Sequence, residues 1–385
     1  MRGLRPILNY YKRTDKLLWL IIFSISAYSL LLLKTVPVPE SGRSYFVVQA
    51  VAILLGYTGA ILFTLVDYHD MTEFWYIVAG FCLFLIIYTQ IKGISVTSSG
   101  GINAKAWIKL PGGTFQPSEL VKIGFILTFS KHLASLKERD WLKKPEHVLL
   151  LACHALVPVI LVHFQGDDGT AMIFFFMFLA MSFGAGVQLR YFVALFALLA
   201  AAFPFALKYV FKDYQIERMT AFLNPEATQL GYGYQQYRGM ISIGSGQFWG
   251  RGLFNSPRVK SGIVPVQQSD FIFSVAADQL GFVGCMLIFL LLFLLLLKVL
   301  LIARKSPDCL GSSICFGFFG MIAAQFLFNL GMCLNLLPVM GVTLPFFSAG
   351  GSSAACLYLG FGLVMNVYMH RMNTDKVTLH GRLAK

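Results

Sequence analysis

A chain of 385 residues that is 57% hydrophobic and only 13% charged lies outside the range of soluble domains, which are about half apolar and about one quarter charged. Its mean hydropathy of +0.69 places most of its length in a membrane, and its apolar runs reach the roughly 20 residues that a helical span needs, which sets aside a β-barrel of short alternating segments. The net charge of +13 in such a chain reports topology and excludes a nucleic-acid partner as its first explanation.

Taken in chain order, the basic segment "MRGLRPILNYYKRTDK" lacks a small-residue cleavage site and reads as a tail ahead of a retained first helix. Ten spans follow, near 17–33, 45–65, 74–92, 119–135, 147–163, 169–186, 189–210, 271–303, 311–334 and 347–369. The fold class is therefore an all-α integral membrane protein of about ten transmembrane helices, one polytopic domain over 1–385. A large extracellular loop, 211–270, lies between helices 7 and 8, and the tails 1–16 and 370–385 are short. Lys and Arg cluster before span 1 and after spans 4, 8 and 10, which puts both termini and those loops on the cytoplasmic face. The eighth apolar run is too long for one crossing. Its start, "FIFSVAADQLGFVG", is expected to line a cavity or stand above the bilayer, with the leucine-rich remainder doing the spanning. No strong internal repeat is visible.

The cysteines are seven and fall almost wholly in apolar runs, so no disulfide framework is indicated, and no CxxC or His-rich cluster suggests a metal. His154 and His163 read as packing residues.

Polar groups at membrane depth are costly, so they mark candidate sites. They gather in four places, all assigned to the outward face. In 103–122, "NAKAWIKLPGGTFQPSELVK", Ser118 and Glu119 suit a helix start, and Glu119 and Lys122 share a helical face. Lys122 either pairs internally with Glu119 or, with Lys105 and Lys109, faces an anionic substrate. In the turn "QGDDGT", one of Asp167 and Asp168 is expected to cap the next helix and the other to bind a cation or orient a basic side chain. The loop 211–270 is glycine-rich and basic, which suits lipid phosphate groups. In "GVTLPFFSAGGSS", Ser348, Gly350, Gly351 and Ser352 can present backbone N–H groups at a helix start, either to an anion or to nothing. Asp270, ahead of span 8, reads as a helix cap or as a catalytic acid. These features alone do not separate an enzyme from a transporter.

The ordered motifs "FQPSELVK", "ERMTAFLNPE", "GYGYQQY", "IGSGQFWGRGL", "SDFIFSVAADQLGFVG" and "LLPVMGVTLPFFSAGGSS" closely resemble the SEDS family (shape, elongation, division and sporulation). The resemblance runs from about residue 100 to 370. It implies a peptidoglycan glycosyltransferase that polymerises lipid II into β-1,4 glycan strands at the outer face of the bacterial cytoplasmic membrane, in cell-wall synthesis for elongation or division, with elongation favoured. It implies a class B penicillin-binding protein and other elongation or division membrane proteins as partners. Asp270 falls on the family's essential aspartate, beside Ser269. Glu119 and Lys122 fall on its "SE..K" positions, Asp167 on its acidic turn, Arg218 on its "R..AF.DP" arginine, and Ser348 to Ser353 on "S.GGSS".

Departures are Ala106 before Trp107, Gly166 and Asp168 in the acidic turn, Arg238 and Gly239 for a Gln-Ser pair, and Asp278 for a longer acid. From these, Lys105, Lys122, Arg218 and Arg238 are expected to meet pyrophosphate, with a divalent cation (Mg or Mn) near Asp167 or Asp278 as a further element. A lipid II flippase and a non-catalytic scaffold are the rival classes.

Overall fold

The computed structural model describes residues 10–39, 42–97, 103–110, 113–209, 216–217, 220–223, 231 and 233–383. Its long helices are α1 (Lys16–Thr35), α2 (Tyr45–Leu65), α4 (Trp75–Lys92), α5 (Pro117–Glu138), α6 (Pro145–Phe164), α7 (Asp168–Ala185), α8 (Leu189–Tyr209), α11 (Ile272–Arg304), α12 (Cys309–Cys333) and α13 (Gly351–Leu383). Short helices are α3 (Tyr68–Glu73), α9 (Tyr234–Gly246) and α10 (Pro257–Lys260). Each predicted span overlaps one long helix. Among the described residues, 9 are long and apolar enough to cross a membrane. The remaining one, α5, has the length but carries Glu119, Lys122, Lys131, Lys137 and Glu138.

Helix ends follow local chemistry. Asp15 caps α1, its side chain accepting from Leu18 N at 2.9 Å. Proline opens α5 and α6 at their first turn, where its missing N–H has no partner to lose. The centre of the bundle is α12, which packs on α5, α7, α11 and α13. Helix α13 runs along α2 at close range. Glycine makes that possible: a Cβ at Gly362 would sit 2.6 Å from Ala60 Cα, and one at Gly56 would strike Tyr358. Small residues let helix backbones approach where lipid gives no hydrophobic drive.

Two features refine the sequence reading. Segment 93–118, expected only as an external stretch, forms a small antiparallel sheet, β1 (Ile94–Thr97), β2 (Asn103–Leu110) and β3 (Gly113–Phe115). Ile94 pairs with Trp107, and Ile108 with Phe115. Helix α11 is broken at Gly281 (φ 65, ψ −158), so its first nine residues form a separate piece from the leucine-rich rest, as the excess length predicts. At the break, Phe282 N bonds to Gln247 O at 2.9 Å. The loop before α11 is folded onto it. A Cβ at Gly239 would press the Phe271 ring at 3.0 Å, and one at Gly246 would overlap the Ala277 carbonyl. The loop's glycines are therefore contact positions between α9 and α11.

Candidate functional site

Asp270 stands two residues ahead of α11, where three chain segments converge. Its carbonyl accepts from Asn329 Nδ2 of α12 at 2.8 Å, and the same amide reaches Val342 O at 2.8 Å. Asn329 is fully buried and so ties the Asp270 turn to the loop between α12 and α13. The carboxylate lies beside Gly341, whose φ is +68: a Cβ there would stand 3.9 Å from Asp270 Oδ2. Glycine suits that left-handed position and leaves the acid's flank open. Val266 and Phe346 also take positive φ, 54° and 67°. Each such bulky residue costs about 1–3 kcal/mol, a strain that marks segments held in place by their surroundings.

The loop carrying Gly341 is pinned from four sides. Ser348 Oγ donates to Ser269 O at 2.6 Å and accepts from Leu344 N at 2.8 Å. Ala349 N donates to Gln268 O at 2.7 Å. Gly350 N reaches Gln49 Oε1 at 3.3 Å, and Ser29 Oγ donates to Phe347 O at 3.1 Å. Helix α13 starts at Gly351, so Ser348 and Gly350 precede it. These groups hold the loop and Asp270 together; their hydrogen bonds are spent on the chain, not presented to an anion.

The acidic turn joins the same place. Asp167 caps α7 by accepting from Thr170 N at 3.0 Å, and its Oδ2 accepts from Gln116 Nε2 at 2.7 Å. A Cβ at Gly169 would collide with Met340 O at 2.5 Å, so the start of α7 lies flush against the Gly341 loop. Gln116 follows β3, and its backbone N donates to Ser352 Oγ at 3.3 Å. Asp168 instead pairs with His163 at 2.6 Å. Of the two adjacent acids, Asp167 is thus both the cap and the one turned to the site.

Electrostatics follow from this packing. Burial raises the Asp270 carboxyl to about 6, the Ser269 hydroxyl pulls it partly back, and the nearby Asp167 charge raises it again. Asp167 is also shifted upward, by burial first, with its cap bonds and Lys122 opposing and Glu119 adding to the rise.

Lys122 settles into the internal pairing. It is 0% exposed and 2.9 Å from Glu119 Oε1, and its charge acts on Asp167. Among the described residues, Glu119 Oε2 has no hydrogen-bond partner. Asp278 differs from expectation more strongly. It is 0% exposed, accepts from both Ser245 and Ser256, and meets Arg251 Nε at 3.6 Å. It is a buried strut that fastens the α9–α10 loop to α11. Asp167 likewise has each oxygen engaged, and among the described residues no three His, Cys, Asp or Glu side chains gather as a metal site. The donor sets at Asp167 and Asp278 do not fit a built cation site.

Lys105 is exposed on β2, with Trp107 half-buried two residues on. Arg238 lies on α9, its guanidinium 5.4 Å from the Tyr234 ring and its buried Nε without a hydrogen bond. Arg218 lies outside the described residues. In the sequence Gln116 is visible only as part of the "FQPSELVK" motif. Its polarity one residue ahead of a helix-opening proline was the available signal.

Long apolar helices packed around the Asp270 turn and the acidic turn define a multi-pass membrane protein with a polar cluster at one end of the bundle. The model of the FtsW, RodA and SpoVE family, described as "Cell cycle protein", matches residues 13–373, and the chain belongs to that family. It is 32% identical over 302 residues to stage V sporulation protein E of Bacillus subtilis, covering 78% of this chain and 81% of that protein. It is 32% identical over 299 residues to the peptidoglycan glycosyltransferase MrdB of Escherichia coli, covering 77% and 80%. A chain in a solved structure on coordination of polymerization and crosslinking by a peptidoglycan synthase complex superposes with TM-score 0.79 at 30% identity, covering 93% of this chain and 98% of that one. RodA of Thermus thermophilus superposes with TM-score 0.68 at 28% identity, covering 93% and 97%. The chain is accordingly a cell-wall glycosyltransferase of the membrane.

Proposed function

We propose that this chain polymerises lipid II by a single inverting displacement in which Asp270 is the general base. The observation that carries the reading is the Asp270 carboxylate itself. It is held between Gly341, Ser269 and Asp167 with its proton affinity raised to about 6, so it is mostly ionised near neutral pH yet more basic than an ordinary aspartate.

The donor sugar is α-linked to pyrophosphate and the product is β-linked, so attack comes from the opposite face. The 4-hydroxyl of the acceptor GlcNAc forms the new bond to C1 as its proton passes to Asp270. The C1–O bond to pyrophosphate breaks with its electron pair, and undecaprenyl pyrophosphate departs. A positioned base typically contributes about 10²–10⁴-fold to such a step. The leaving group needs charge stabilisation, for which Arg238, Lys105 and Arg218 are the candidates, with Trp107 beside them. Asp167, Gln116, Ser269 and the Ser348–Ser352 loop hold the base in place. Lys122 balances Glu119.

The positive-inside distribution supports an outward-facing site with both termini cytoplasmic, in the bacterial cytoplasmic membrane. The fit to a chain solved within a peptidoglycan synthase complex supports a class B penicillin-binding protein as partner. The test is purified full chain in vesicles with lipid II, alone and with its transpeptidase. Glycan polymer and released undecaprenyl pyrophosphate are expected. Lipid II translocation without polymer would replace this reading with a flippase.

A further inference from the structure

The loop between α5 and α6 and the loop between α7 and α8 are joined at one carbonyl. Tyr191 Oη donates to Lys143 O at 2.7 Å, and Arg190 Nη2 donates to the same oxygen at 3.1 Å. Trp141 and Tyr191 are each half-buried and packed on the hydrophobic core, so each loop fixes one aromatic ring at this end of the bundle. Cations gather on those rings. The Arg139 guanidinium lies 5.0 Å from the Trp141 ring, Lys144 Nζ lies 5.4 Å from it, and the Arg190 guanidinium lies 4.9 Å from the Tyr191 ring. Such contacts hold a charge in place without neutralising it. His147 stacks on Trp141 at 4.3 Å, nearly parallel.

Segments 137–147 and 186–191 set the acids Glu138, Asp140 and Glu146 against Lys137, Arg139, Lys143, Lys144 and Arg190. Asp140 takes Lys143 at 3.0 Å, and Glu146 lies 4.0 Å from His147. Among the described residues, Arg139, Lys144 and Arg190 make no salt bridge, and all three are exposed. The surface beside them is apolar. Leu149 and Leu150 on α6, and Leu189 and Val193 on α8, are exposed, and Val193 shares a helical face with Arg190. A cationic, aromatic rim next to an apolar wall matches the boundary between headgroups and hydrocarbon, where Trp and Tyr concentrate.

We infer that this platform binds the phosphate of an anionic glycerophospholipid, with its acyl chains laid on the adjoining apolar wall. The inference takes only its leaflet, the negatively charged cytoplasmic one, from the orientation proposed above. Two arginines offer forked donors that match phosphate oxygens, and Lys144 adds a point charge. A soluble acidic partner would meet the cations but would leave the apolar wall to the bilayer. The ligand would fasten the α5–α6 loop to the α7–α8 loop. It would thereby hold the end of α7 opposite the Asp167 cap.

The test is native mass spectrometry of the full-length protein in neutral detergent, offered equal phosphatidylglycerol and phosphatidylcholine. Wild type is expected to retain phosphatidylglycerol in preference. Arg139→Gln, Lys144→Gln and Arg190→Gln together should lower that retention by at least about tenfold. Arg304→Gln with Lys305→Gln removes two exposed cations beyond α11 and should leave it unchanged. Equal retention of both lipids by wild type, or equal losses in the two variants, overturns the inference, because either result reduces the platform to bulk surface charge. Arg139→Gln with Lys144→Gln keeps the Arg190 bonds to Lys143, so it serves where the triple variant fails to fold, and it should still lose several-fold. The second readout is thermal unfolding. Phosphatidylglycerol should raise the midpoint of wild type and raise that of the variants much less. No rise in wild type, or an equal rise with inorganic phosphate alone, overturns the lipid site. Neither readout uses polymerisation, so failure of the glycan assay leaves this result standing.

Discussion

Gln116 donates from Nε2 to Asp167 Oδ2 across 2.7 Å, joining the end of the external sheet to the turn that opens α7. Asp167 in turn raises the proton affinity of Asp270. The two residues make a relay of position: strand β3 fixes Gln116, Gln116 fixes Asp167, and Asp167 adds its charge to the field at Asp270. Gln116→Ala should lower kcat by about tenfold, since misplacing a neighbouring group by a fraction of an ångström weakens orientation. Gln116→Glu should be worse, because it sets a carboxylate against a carboxylate. Steady-state polymerisation kinetics at pH 7 check both, and equal activity of all three proteins would contradict the relay.

The pH profile follows from the direction of the Asp270 shift. A base must be ionised, and this carboxyl titrates near 6 instead of the ordinary 3.8. Activity should therefore be lost as pH falls through about 6. Asp167→Asn removes a neighbouring negative charge, so Asp270 ionises more easily and the acid limb should move to lower pH. A limb that stays fixed, or moves upward, in a variant that still folds would show that Asp167 does not act on Asp270.

The Glu119–Lys122 pair predicts non-additive stability. With Lys122 fully buried against Glu119 at 2.9 Å, removing one partner strands the other charge, at a cost of about 3–5 kcal/mol. Glu119→Gln and Lys122→Met should each destabilise strongly, and the double variant should recover much of the loss. Thermal unfolding in detergent reads this, and additive losses would argue against a closed pair.

Asp278 should behave as a structural residue. Asp278→Ala leaves Ser245 and Ser256 without their acceptor and Arg251 without its counter-charge, and should destabilise by about 1–3 kcal/mol. Asp278→Asn keeps an acceptor oxygen and should lose less. Limited proteolysis of the α9–α10 loop measures the loosening. A variant with full stability but no activity would instead return Asp278 to the reaction.

Much of this was legible in the sequence because the bilayer imposes strong rules. Span length and hydropathy located all ten long helices, and the excess length of the eighth run set its polar start apart from the leucine-rich rest, the two pieces that Gly281 divides. The family motifs placed Asp270 and Asp167 without coordinates. Other features were not legible, since they depend on distant partners. The sheet over 94–115 is built from strands of 4, 8 and 3 residues, short pieces that do not stand out beside the long apolar runs. Lys122 could have faced inward or toward a ligand, and only the fold of α5 against its neighbours decides. Asp278 shares its motif with Asp270, yet it lies in the piece of α11 that the Ser245 and Ser256 hydroxyls reach. The hydrogen bond from Gln116 spans two segments that no spacing rule connects.

The central claim is that Asp270 removes the acceptor proton. The most direct measurement is glycan synthesis from lipid II by wild type and Asp270→Asn, each alone and with the transpeptidase partner, after both are shown to unfold at comparable temperatures. Asn keeps the size and the backbone contacts to Asn329 but cannot take a proton. Wild type should make polymer, and the folded variant should make at least about 10²-fold less, the lower end of what a general base contributes. Equal polymer from both would contradict the account and leave Asp270 as a structural residue at the head of α11.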